Sequence, residues 1–339
     1  MTQLKMNSFW RAAALAQVLL LAGPTLRAQS VGWLPRLQLD NDAYNFWLDP
    51  GSRTDEQYTN GVVFSLETMR APWWGHRFAP GMPGCVPDAP REGACVATIV
   101  SVAQDLYTPN LNRPPFSEPN WEQERPYAAW LRVSATARIA ASRELREVEI
   151  AVGVTGAPAL GQVAQSIAHA VAGAYTHTAT GWETQVGFQP GFLASYHQTW
   201  LVARSELGQG FAFDFSPYAG GTVGNILTEA DAGAKARIGW NLSHPWDPRA
   251  CRGRPRWEAF AYAGGRYEYV LEDFSLDGTL FGGGRHVTRV PAVGEHEFGG
   301  GLRYDRWSVG YHALSRSREY TSGPLQHTFS SMIVSYGWL

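Results

Sequence analysis

The sequence predicts an all-β chain: a transmembrane, antiparallel up-and-down β-barrel of about twelve strands, with a short helix in an extracellular loop. Three observations predict it. Apolar and polar residues alternate with period two through most of the chain. Charge is scarce and rings are abundant: 17% Asp, Glu, Lys and Arg, 13% aromatic residues, 36 glycines and 14 tryptophans. Soluble domains average about 25% charged residues, whereas an apolar outer belt edged by aromatic girdles needs few. Finally, no stretch reaches the run of about 18 apolar residues that a spanning helix requires.

Taken in order, residues 1–28 read as a secretory signal peptide. Lys5 and Arg11 give a positive start, Ala12 to Ala22 is apolar, and Leu26-Arg27-Ala28 is a small-residue cleavage site. Residues 29–339 would then form the barrel. Alternating segments fall near 33–42, 57–68, 96–106, 126–140, 145–156, 184–202, 209–223, 225–241, 256–273, 288–304, 306–319 and 327–339. An even number returns both termini to the periplasmic side. The clearest segment starts at Tyr127, where Tyr127, Ala129, Leu131, Val133, Ala135, Ala137 and Ile139 are apolar. Arg132, Ser134, Thr136 and Arg138 lie between them. Tyr127, Leu131 and Trp338 of the last strand are expected to face lipid. Ala157 to Gly173 breaks the pattern: Val163, Ile167, Ala168 and Val171 recur at helical spacing and predict a helix between the fifth and sixth strands.

Cys85 and Cys95 fit a local disulfide in an oxidising compartment, and Cys251 is left as a free thiol with no catalytic role. A formal net charge of −2 excludes nucleic acid, which demands a basic footprint.

Polar signatures punctuate the strand ends. Leu39-Asp40-Asn41-Asp42 closes the first strand and Tyr58-Thr59-Asn60-Gly61 opens the second. Gln104 to Pro109 closes the third, and Glu124-Arg125-Pro126-Tyr127 opens the fourth. Up-and-down topology gathers all four at one rim, together with the helix. His169 on that helix, one turn after Gln165, offers an imidazole of the kind that activates water or a hydroxyl. Asn41, Asp42 and Thr59 offer an amide, a carboxylate and a hydroxyl, and Arg113 offers fixed positive charge. Asp42 could hold a hard cation such as calcium. Together these groups could hydrolyse an ester. Taken singly each has a plainer reading: Asn-Asp and Thr-Asn-Gly as turn chemistry, the histidine as a structural loop residue.

These residues resemble the outer-membrane lipid A deacylases, a calcium-dependent family that removes the 3'-linked acyloxyacyl chain from lipid A. The resemblance runs from about Leu37 to the C-terminus. It is carried by Asn41-Asp42, Tyr58-Thr59-Asn60-Gly61, Gln104 to Pro109, Gly153 to Pro158, Gln165 to His169 and Gly181 to Gln185. It implies a twelve-stranded barrel with its site between wall and loops at the outer-leaflet rim. His169 would be the base or attacking nucleophile, surrounded by Asn41, Asp42 and Thr59, with lipopolysaccharide as partner and calcium as cofactor. Two positions depart from the pattern. The loop after Gln104 to Pro109 holds no lysine, so Arg113 is the nearest basic group. Tyr175 falls where the family has an acidic metal-associated residue, and Glu183 is the nearest replacement. The rival readings are a non-catalytic barrel, porin-like or structural, and an outer-membrane phospholipase, for which no serine nucleophile stands out.

Overall fold

Alternation closes into a ring. The computed structural model describes residues 33–48, 57–69, 79–86, 92–110, 123–172, 181–247, 256–280 and 284–337. Its strands are β1 (Trp33–Asn41), β2 (Gln57–Thr68), β3 (Cys95–Thr108), β4 (Ala128–Ala140), β5 (Glu144–Thr155), β6 (Pro190–Trp200) and β7 (Ala203–Gly208). They continue as β8 (Phe211–Gly224), β9 (Leu227–Trp240), β10 (Trp257–Asp273), β11 (Ala292–Tyr304), β12 (Trp307–Ser317) and β13 (Gln326–Tyr336). β6 and β7 pair with successive halves of β8, so they form a single stave broken at Leu201-Val202. The result is a closed antiparallel barrel of 12 staves. β1 meets β13 with Leu37 opposite Val334, and β6 meets β8. Closure leaves no edge whose backbone groups would stand unpaired in hydrocarbon.

The two faces of the wall differ as the alternation requires. Val102, Val133, Val152, Phe192, Val223, Ile238, Leu302 and Val309 stand exposed outside. Where β1 starts and β13 ends, Trp33, Trp240, Trp257, Tyr304, Trp307 and Tyr336 form an aromatic girdle, with the Trp257 and Tyr304 rings 4.5 Å apart and tilted by 43°. Inside, charges are paired. Arg266 reaches Glu229 and Glu268 at 2.6 Å and Asp231 at 3.3 Å, while Arg316 meets Glu295 at 2.5 Å and Arg237 meets Asp214 at 2.6 Å. Such pairing is what makes buried charge tolerable. At the foot of β3, Cys85 and Cys95 are disulfide-bonded.

Three expectations change. Tyr127 is fully buried, because Trp182 packs on it with ring centroids 4.9 Å apart, and Leu131 is half-covered by the same cluster. The expected strand 184–202 begins only at Pro190. The residues before it form a 3-10 turn, Trp182–Thr184, and a loop that docks on the wall through Val186 N–H to the Tyr127 carbonyl at 2.8 Å. The expected helix is interrupted: a 3-10 turn at Ala157–Ala159 ends at Leu160 in the left-handed region, and α1 runs Gly161–Ala172. Trp338, Cys251 and the signal-peptide residues lie outside the described residues.

Candidate functional site

The first signature ends β1 and starts a clamp. Asn41 Oδ1 accepts from Ala43 N–H at 2.8 Å and caps the 3-10 turn Asp42–Tyr44. Asp42 is fully buried. Its carbonyl accepts from Asn45 Nδ2 at 2.7 Å, and the same amide donates to the Thr328 carbonyl at 2.8 Å. Ser330 Oγ donates to Asn45 Oδ1 at 2.6 Å, and Tyr311 Oη donates to the Tyr44 carbonyl at 3.0 Å. Ser330, Thr328 and Tyr311 sit at outward register positions, level with Met332, Val334 and Val309. The turn carrying Asp42 is therefore fastened to the outside of β12 and β13.

Thr59 arrives beside it through the β1–β2 register, which sets Asn41 opposite Asn60. A bulge between Tyr58 and Asn60 separates the directions of neighbouring side chains. Tyr58 turns into the lumen and donates to Asp40 Oδ2 at 2.9 Å, whereas Thr59 shares a 2.5 Å hydrogen bond with Thr108 Oγ1. Gly61 makes room for this, since a Cβ there would collide with the Tyr58 hydroxyl.

The helix packs outside β3 and β4. Gly161 permits the approach, because a Cβ would strike the Trp182 ring and Ala129. Gln104 projects from the outward row of Val100 and Val102, and its Nε2 donates to the Ala159 carbonyl at 2.5 Å. Gln165 is buried and accepts from Trp182 Nε1 at 2.7 Å; its own Nε2 has no partner among the described residues. His169 follows four residues later on α1, with its side chain outside the described residues. Val163 and Ile167, at 54% and 59% exposure, point away from the wall.

Asn41, Asp42 and Thr59 are thus brought together at the rim, and the helix bearing His169 rests on the neighbouring strands. Arg113 and Tyr175 lie outside the described residues, and Glu183 is exposed on its turn. The four signatures do not form a single cluster; they divide between the two faces of the wall. Asp40, Tyr58, Asp105 and Arg125 belong to the inner face. Arg125 is fully buried, donating to Ser275 Oγ at 2.8 Å and meeting Glu319 at 3.4 Å beneath the short helix α2 (Phe274–Asp277). Burial opposes the charge on Glu319, but Arg316 and Arg125 hold its carboxyl below the usual carboxylate range. A cavity of about 230 Å³ also lies on this inner side, lined by Asp105, Arg132, Arg266, Glu268, Phe274 and Arg316 among others. None of Asn41, Asp42 or Thr59 lines it.

Three polar groups of the outer face escaped the sequence-level assignment of site residues: Gln104, Gln165 and Asn45. The first had a signal, being an amide in an apolar row. Asn45 had none, because its role depends on Thr328 and Ser330, nearly the whole chain away. For calcium the donor set fits only in part. Asp42 supplies one buried carboxylate, and among the described residues no three His, Cys, Asp or Glu side chains form a group.

The outer membrane protein LpxR family profile matches residues 11–338. LpxR from Salmonella typhimurium superposes with a TM-score of 0.70 at 17% identity, covering 90% of this chain and 100% of that one. The β domain of the Bordetella autotransporter BrkA gives 0.45 at 8% identity, covering 91% of this chain and 100% of that one. The NalP translocator domain of Neisseria meningitidis gives 0.43 at 11%, covering 98% and 96%. No curated protein matches the chain. The family match spans nearly the whole sequence, and the fold is similar to that of LpxR from Salmonella typhimurium. This bacterial outer-membrane protein belongs to the LpxR family.

Proposed function

We propose that this protein is a carboxylic ester hydrolase that removes the 3'-linked acyloxyacyl chain of lipid A in the outer leaflet. One observation carries the reading. Asn41, Asp42, Thr59 and Gln104 collect on the outer side of the wall, where folding alone favours apolar groups, and Gln165 joins them from the neighbouring helix that bears His169. A site there meets a membrane lipid from the side. His169 takes a proton from water, whose oxygen attacks the ester carbonyl. Thr59 and the neighbouring amide donors stabilise the resulting oxyanion. The carbon–oxygen bond to the sugar then breaks, and the departing alkoxide recovers the proton from the imidazolium. Free fatty acid and a lipid A hydroxyl result. Calcium held at Asp42 would supply Lewis-acid polarisation.

Two other readings fare less well. A porin-like role sits poorly with a lumen crossed by ion pairs. A phospholipase needs an activated serine, and Ser330 at the clamp is committed to Asn45. The deciding experiment is mass spectrometry of lipid A from cells with and without the intact gene. Loss of one acyloxyacyl mass only when the gene is present supports the reading; identical spectra reject it.

A further inference from the structure

The segment after Asp42 does not rise from the rim. It folds back along the outside of β13, β12 and β11, so that outward-facing Ser330 and Ala313 are completely covered. Phe46 lies 6.2 Å from the Tyr311 ring, and Trp47 packs edge-on against Phe298 of β11 at 5.3 Å. Even so packed, Phe46 is 40% and Trp47 48% exposed. We propose that this aromatic shelf of Phe46, Trp47, Tyr311 and Phe298 is an acyl-chain subsite that seats one fatty-acyl tail of the lipid substrate beside Asp42. The inference rests on the lipid-hydrolase reading above and names the part of the substrate that the site grips.

Several features select an acyl tail as occupant. Between Asp42 and Leu48 the segment reads Ala-Tyr-Asn-Phe-Trp and carries no charge, so it has no cation for a phosphate. Its one amide side chain, Asn45, is buried in the clamp. The clamp ties shelf and Asp42 into one body, so a tail held on the rings fixes where its ester lies, and positioning of this kind is worth rate. Phe298 lies three strand spacings from β1, roughly 14 Å at about 4.8 Å each, a distance that an extended medium-length acyl chain covers. Phe192, Tyr267 and Tyr269 are also exposed toward this end, on β6 and β10 rather than on the three staves the segment crosses.

The test uses the full-length protein in mixed micelles with lipid A species of different acyl length. Trp47→Ala and Phe298→Ala are compared with Trp257→Ala in the opposite girdle. The proposal expects about a tenfold loss of kcat/KM in each shelf variant, the size expected when an aromatic contact of this kind is removed. It also expects that preference among acyl lengths flattens. Trp257→Ala should change neither. An equal loss in Trp257→Ala would mean contact with bulk lipid only, and an unaltered length profile in Trp47→Ala would also overturn the subsite. Quenching by brominated tails gives a readout independent of turnover. The difference signal between wild type and Trp47→Phe should be quenched more by brominated lipid A than by brominated phospholipid. That result in an inactive wild type would keep the subsite and reject the deacylase reading. Equal quenching would reject the subsite whatever the activity.

Discussion

At one rim the barrel wall carries polar residues on both faces, and the two sets differ in kind. The inner set is dense in charge and self-sufficient. Arg125 has Ser275 at 2.8 Å, Gln57 and Glu319 at 3.4 Å, and the Tyr107 ring 4.6 Å away. Arg132 is bonded to Asp105, and Arg316 joins Glu295, Glu268 and Glu319. The outer set is sparse and nearly uncharged: Asn41, Thr59, Gln104, Gln165 and one carboxylate, Asp42. A charge in a lumen needs a partner in order to fold, so its presence says little about chemistry. The outer amides have partners too, Gln104 in the Ala159 carbonyl and Gln165 in Trp182, but what they hold is the helix that bears His169. On this wall the dense titratable groups support the lumen, whereas the sparse polar groups of the outer face are those of the proposed site.

The largest expected effect breaks the comparison outright. His169→Ala should lower deacylation by about 100- to 10,000-fold while the barrel stays folded and heat-modifiable, with His177→Ala as control. Lipid A spectra and electrophoretic mobility check both halves. A wild-type spectrum in His169→Ala, or equal damage from His177→Ala, would place the chemistry elsewhere.

Next comes the oxyanion and metal question. Thr59→Ala should cost about 100-fold if its hydroxyl meets the oxyanion. Asp42→Asn should behave similarly, and activity should fall on chelation and return with calcium. Full activity in chelator would instead assign oxyanion stabilisation to Arg113 or the backbone.

On the inner face the expected loss is of stability. Arg125→Ala takes one of two guanidiniums from buried Glu319, which keeps Arg316, and leaves Ser275 and Gln57 short of a donor, at a cost of about 1–3 kcal/mol. The heat-modification temperature should drop, and kcat of the folded fraction should stay within about twofold, far from the losses a catalytic group causes. Abolished turnover in a stable Arg125→Ala barrel would merge the two faces into one functional unit.

Acid sharpens the same contrast. Because the folded-state pKa of Glu319 is depressed, its stabilisation is present above the unfolded value of about 4.3 and is lost as pH falls through the folded value. Protease accessibility of the rim loops should therefore rise below that range, and Glu319→Gln should remove the dependence. The smallest effect expected is at Gln104→Ala, which strands the Ala159 carbonyl at a cost of about 1 kcal/mol. A shift in KM with little change in fold would place Gln104 among the groups that seat the helix.

Much of this was legible in the residues themselves. The period-two rows of β4, β12 and β13 gave the barrel and its closure, because an alternating chain in a membrane has one way to satisfy its backbone, and the tally of all alternating segments gave about twelve strands. Asn41-Asp42 and Thr59 could be placed at one rim for the same reason. Tyr127 and α1 mark where that reasoning stopped. Tyr127 continues the apolar row of β4, so alternation assigns it to lipid, but Trp182, more than fifty residues later, covers it. The apolar stripe of α1 reads as a packing face, and the structure turns Val163 and Ile167 away from the wall. Gly161 and Gln165 pack inward instead, since the surrounding solvent is hydrocarbon and the close fit to Trp182 demands a glycine.

The sequence by itself determined the barrel, its polarity and the rim at which its motifs meet, since all three follow from local alternation and from connectivity. Only the tertiary structure decided which face each rim residue occupies. That choice turns on the bulge at Thr59, which splits Tyr58 from its neighbour, and on the Asn45 clamp, which lays the Asp42 turn outside β13. Both depend on contacts between strands far apart in the chain, and a row of residues read along one strand carries no record of them.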